Sequence, residues 1–130
     1  MPGTVSEMVD GDEGVYEAIR QYASQDRISY VHFRNVIGKV PVFNEVFIDE
    51  GDVDMQAAIT AYRDAGFTGV ITPDHTPHMS CDAPWHAGIA FAVGYLKAAA
   101  KAAGVVFEQS ASVRQSTAEG RPPPAPQPRL

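Results

Sequence analysis

Residues 67–78 read FTGVITPDHTPH. Val70, Ile71 and Thr72 are β-branched, a composition that favours a pleated strand. Pro73 ends the run, and Asp74 and His75 follow at once, with His78 just beyond Pro77. Turn residues alone would account for the prolines. They would not call for one carboxylate and two imidazoles together. Earlier in the chain a second strand-like stretch, RISYVHFRNV at residues 27–36, also ends in polar chemistry. Successive side chains of a strand point to opposite faces. Tyr30, His32 and Arg34 therefore share one face, and Val31 and Phe33 take the other.

Helical patterns separate the two strands. Val15, Tyr16, Ile19 and Tyr22 recur at helical spacing after Asp12, a plausible cap. Met55, Ala58, Ile59 and Tyr62 form the apolar face of a second helix, with Asp52 or Asp54 as its cap and Gly66 at its end. The alanine-rich stretch from Trp85 is a third helix, closed by Gly104, and Gly88 and Gly94 on it are expected to allow close packing. The order α-β-α-β-α predicts an α/β fold with parallel strands joined by crossover helices. Two strands are too few for a stable open parallel sheet. The chain is therefore expected to be a piece of something larger, completed by another chain or by the rest of a longer gene product.

Composition narrows the function. The chain has 130 residues, enough for one ordinary domain, and 45% of them are hydrophobic. A net charge of −6 argues against binding nucleic acid or an anionic membrane surface. No apolar run reaches the length of a membrane span, and the first residues lack the pattern of a signal peptide. A single cysteine, Cys81, excludes an internal disulfide and fits a reducing, cytoplasmic setting. Residues 1–110 read as the folded part. Residues 111–130 carry five of the ten prolines and are expected to form a disordered tail.

In α/β proteins function gathers beyond the carboxyl ends of the strands. Adjacent parallel strands would bring His32 and Asp74 together there. An imidazole and a carboxylate are common ligands of a divalent metal. Arg34 beside them suits a substrate carboxylate, which a guanidinium grips with paired hydrogen bonds. His75 suits a general acid or base, since imidazole titrates near neutral pH. The competing reading is that these are capped or exposed strand-end side chains. Glu45, in the expected loop after the first strand, either faces the site or is a solvated charge. His78 and His86 flank a loop beside the site, and Cys81 reads as a passive thiol.

RISYVHFRNV, FNEVFIDEGDVDM and ITPDHTPHM together resemble the C-terminal part of mannonate dehydratases, over roughly residues 2–104. The resemblance implies the last two units of a (β/α)8 TIM barrel of the xylose-isomerase-like superfamily, with a preceding helix. It implies a hydro-lyase of hexuronate catabolism that dehydrates D-mannonate to 2-keto-3-deoxy-D-gluconate. It further implies a divalent metal, Mn²⁺ first with Fe²⁺ or Mg²⁺ as alternatives. His32 and Asp74 would be metal ligands, His75 the catalytic acid/base and Arg34 the substrate-binding residue. A cysteine ligand of the family would fall at Met1, an upstream histidine ligand has no counterpart, and the family's catalytic tyrosine has no clear match near Ala90, where Tyr95 and His86 are only neighbours. The expected partners are a small sugar acid and either a complementary barrel half or further copies of the chain. The alternatives are a metal-dependent sugar isomerase or epimerase of that superfamily, or a non-catalytic barrel remnant.

Overall fold

A computed structural model describes residues 1–8 and 12–105. The expected tail lies outside the described residues. The elements are α1 (Pro2–Met8), α2 (Asp12–Ala23), β1 (Tyr30–Phe33), β2 (Val36–Lys39), β3 (Val42–Glu45), α3 (Met55–Asp64), β4 (Val70–Pro73) and α4 (Pro84–Ala102). The fold is mixed α/β. β1 and β4 pair in parallel, with His32 opposite Thr72 and Phe33 opposite Pro73. The intervening chain is long enough to return over the sheet, which a parallel pair requires.

Three elements depart from the expected order. α1 precedes the first expected helix. Residues 36–45 form an antiparallel hairpin of β2 and β3, with Val36 opposite Glu45, instead of a polar connection. Glu45 is therefore the last residue of a strand, not a loop residue. The long expected strand at 27–36 is also divided. Its pairing with β4 ends at Phe33, and its last residue, Val36, opens β2.

The apolar faces behave largely as their spacing predicts. Val15, Tyr16 and Ile19 of α2 and Met55, Ala58, Ile59 and Tyr62 of α3 join Val31 and Phe33 of β1 in one core, with Leu96, Ala99 and Ala100 of α4. Tyr22 is the exception. It is exposed, and the Arg27 guanidinium lies 5.8 Å from its ring centroid. Asp54 caps α3 by accepting from the Ala57 N–H at 3.0 Å. The other candidate cap, Asp52, instead accepts from the Gly38 N–H at 2.8 Å and ties the hairpin to the loop before α3. Gly66 and Gly104, both at φ +75°, follow the ends of α3 and α4 as expected.

The two glycines of α4 differ. A Cβ on Gly88 would stand 2.5 Å from Thr76 Oγ1, so this glycine lets the loop after β4 lie against the helix. A Cβ on Gly94 would meet nothing within 4 Å, so close packing does not require a glycine there. Among the described residues no helix is long and apolar enough to cross a membrane.

Candidate active site

The parallel register places the ends of β1 and β4 side by side, and the polar residues of both strands meet there. Asp74 follows β4 directly. Its Oδ1 lies 3.3 Å from His32 Nδ1 and 3.5 Å from His75 Nε2, and its Oδ2 lies 3.6 Å from Arg34 Nε. The other imidazole nitrogen of His75, Nδ1, lies 2.9 Å from Glu45. Glu45 Oε1 in turn is 3.6 Å from Arg34 Nη1. His32, Arg34, Asp74 and His75 thus converge as the sequence reading anticipates, and Glu45 joins them from the end of β3.

Arg34 is the hub. It is 8% exposed, and its Nη2 donates to Glu7 Oε1 at 2.8 Å and to Thr4 Oγ1 at 3.4 Å. A buried guanidinium needs such partners, because an unpaired charge in a low-dielectric interior costs several kcal/mol. Its Nη1 is buried without a hydrogen-bond partner. The donor fork is therefore anchored on one side, and its other arm faces Glu45 at ion-pair distance. The sequence reading overlooked Glu7, because α1 was not seen and nothing local ties Glu7 to residue 34.

A second buried group was also missed. Asn35 is 1% exposed. Its Nδ2 donates to the carbonyls of Ile48 and Val53, and its Oδ1 accepts from the Val36 and Val53 N–H groups. Asn35 thus holds the bend between β1 and β2 against the loop before α3, and this bend carries Arg34. An asparagine after a strand gives no sequence signal for such a role, since Asn is equally common in turns.

Beyond His75 an open groove of about 330 Å³ is lined by Glu45, Thr76, His78, Pro84 and Trp85. His78 is exposed there, and His86 and Cys81 are exposed side chains. The amino group of Met1 is held below its usual pKa, chiefly by burial and then by the Arg34 guanidinium, with the Asp74 carboxylate opposing. The amino group of residue 1, where the resemblance puts a cysteine, is therefore within electrostatic reach of Arg34 and Asp74.

His32 and Asp74 are donors of the right chemistry for a divalent metal. Their number is too small: among the described residues no group of three or more His, Cys, Asp or Glu side chains is arranged to hold a metal ion. Catalytic divalent sites such as those of zinc take three protein ligands.

A model of the D-mannonate dehydratase (UxuA) family matches residues 3–116. The mannonate dehydratase 2 of Halalkalibacterium halodurans is 42% identical over 62 residues, covering 45% of this chain and 18% of that protein. A mannonate dehydratase of Lactococcus lactis subsp. cremoris is 33% identical over 78 residues, covering 56% of this chain and 21% of its own length. The crystal structure of mannonate dehydratase from Streptococcus suis serotype 2 superposes with a TM-score of 0.53 and 25% identity, over 72% of this chain and 30% of that one. The chain spans about a fifth of the curated relatives it matches. Its match over most of its length shows that this chain belongs to the D-mannonate dehydratase (UxuA) family.

Proposed function

We propose that the chain contributes part of a hydro-lyase centre that dehydrates D-mannonate to 2-keto-3-deoxy-D-gluconate. The observation that carries this reading is the meeting of His32, Arg34, Asp74 and His75 at two adjacent parallel strand ends, in a chain of this family. The reaction removes a proton from the carbon bearing the carboxylate. The bonding electrons form a double bond as the neighbouring hydroxyl leaves, protonated, as water. The enol then tautomerises to the 2-keto acid. His75 carries one of the two proton transfers. Arg34, beside Asp74 and Glu45, is the residue that holds the substrate carboxylate in this reading.

His32 and Asp74 would be two ligands of a divalent ion, Mn²⁺ first, with the remaining ligands supplied by the rest of a (β/α)8 barrel. When bound, such an ion supplies Lewis acidity toward the carboxylate as negative charge develops there. Two ligands do not make that centre, so the isolated chain is a catalytic part and not a complete catalyst.

The test is a chimera in which residues 2–105 replace the matching segment of the Halalkalibacterium halodurans enzyme, which keeps its own residue at the place of Met1. With D-mannonate it should release the 2-keto-3-deoxy acid, and the His75→Asn chimera should not. Conversion of D-mannonate to an isomeric sugar acid without loss of water would instead favour an epimerase.

A further inference from the structure

His75 has two different neighbours, and they set its two nitrogens apart. Nδ1 lies 2.9 Å from each carboxylate oxygen of Glu45, within hydrogen-bonding distance. Nε2 lies 3.5 Å from Asp74 Oδ1, beyond it. An ionised carboxylate only accepts hydrogen bonds, and a neutral imidazole carries a single N–H. The proton therefore belongs on Nδ1, facing Glu45, and Nε2 keeps its lone pair. The same Asp74 Oδ1 lies closer to His32 Nδ1, at 3.3 Å, and Oδ2 lies 3.6 Å from Arg34 Nε. Glu45 in turn faces the Arg34 guanidinium, with Nη1 3.6 Å from Oε1.

We propose that Glu45 is the positioning residue of His75: it accepts the Nδ1–H, fixes the ring and leaves Nε2 as the nitrogen that takes the substrate proton. The proposal rests on the reading of His75 as the acid/base and specifies its direction, as base at Nε2. It also explains why a carboxylate at the end of β3 is suited to the place. A carboxylate presents acceptor oxygens to the Arg34 guanidinium, 3.6 Å away, and to His75 at once, and a glutamine has only one such oxygen. Arg34 is a donor only, so the single amide oxygen of a glutamine turns toward it, and the amide NH2 then faces His75 Nδ1.

The experiment is nitrogen-15 NMR of the His75 ring in the 130-residue chain, at alkaline pH where imidazoles are neutral. The expected pattern is a protonated Nδ1 and an unprotonated Nε2. Glu45→Gln should reverse it, moving the proton to Nε2, while the backbone amide spectrum stays that of the folded chain. A wild-type ring protonated on Nε2, or equal populations of the two forms, would overturn the proposal. So would a folded Glu45→Gln chain with the wild-type pattern. Should Glu45→Gln fail to fold, the wild-type pattern still decides. In the chimera, Glu45→Gln should lower kcat about tenfold or more with KM little changed, as losses of orienting groups do. Full turnover by the His75→Asn chimera would remove the acid/base reading while leaving the ring pattern, and its dependence on Glu45, intact.

Discussion

His32 Nδ1 lies 3.3 Å from Asp74 Oδ1 across the ends of two parallel strands. The pairing of His32 with Thr72 sets this distance: Asp74 lies two residues past the partner of His32, directly after the end of β4. The two side chains are therefore held by backbone register and not by flexible loops. Replacing Thr72 or Val31 with proline would remove or distort a ladder position. Either change should separate the pair and should be visible as shifted His32 ring signals.

The Glu7–Arg34 pair ties α1 to the end of β1. Both side chains are under 10% exposed. Glu7→Gln removes the hydrogen-bonded counter-charge of a buried guanidinium, which costs about 3 kcal/mol. The urea midpoint of unfolding should fall accordingly. An unchanged midpoint would mean that Arg34 finds enough compensation in Glu45 and Asp74.

Asn35 should be as sensitive without carrying any charge. Asn35→Ala strands two buried carbonyls and two buried N–H groups, each worth about 1–3 kcal/mol when left unsatisfied. Gly51→Ala should act through the same residue, since its Cβ would fall on the Asn35 side chain and close to the Val36 carbonyl oxygen. Both variants should lose cooperative thermal unfolding, and loss in only one would separate the hydrogen bonds from the close approach.

Those two residues mark where the sequence stops being legible. The largely aromatic stretch at 30–33 and the β-branched run at 70–73 announce the parallel pair, and strand alternation places His32 and Arg34 on one face. The hairpin at 36–45 is hidden, because Gly38 and Pro41 interrupt its pattern and Val42 and Phe43 remain exposed. α1 is hidden because Pro2 and Gly3 are poor helix formers. Glu7 and Asn35 act through contacts with residues far away in the chain, and no local spacing encodes them. Glu45 was visible as a candidate, but its role depends on a strand that the sequence did not reveal.

Tyr62 gives a pH dependence of stability. Burial pushes its phenol up to about 12 from the usual 10. The folded chain therefore keeps this proton over a range where the unfolded chain has lost it. The associated stability is fully present below pH 10 and is lost as pH rises from 10 to about 12. The loss is on the order of 2–3 kcal/mol. Tyr62→Phe should flatten it, and an equally steep alkaline loss in that variant would assign it to other groups.

Gly88→Ala tests how closely the loop after β4 is held. The new Cβ would push against Thr76, the residue after His75. The chain should stay folded while the His75 ring signals shift, and unchanged signals would show that Thr76 moves alone.

In the proposed function this chain carries His32, Asp74 and His75 of a dehydratase centre, and its described residues do not complete the ligand set. The most direct measurement is release of the 2-keto-3-deoxy acid from D-mannonate, with Mn²⁺, Mg²⁺ or Fe²⁺ added in turn. It is made first with the 130-residue chain alone and then with the upstream part of a related mannonate dehydratase supplied as a separate chain. No turnover is expected from the chain alone, and the turnover expected on mixing should be abolished by His75→Asn. Turnover by the chain alone, lost in His75→Asn, would contradict this reading.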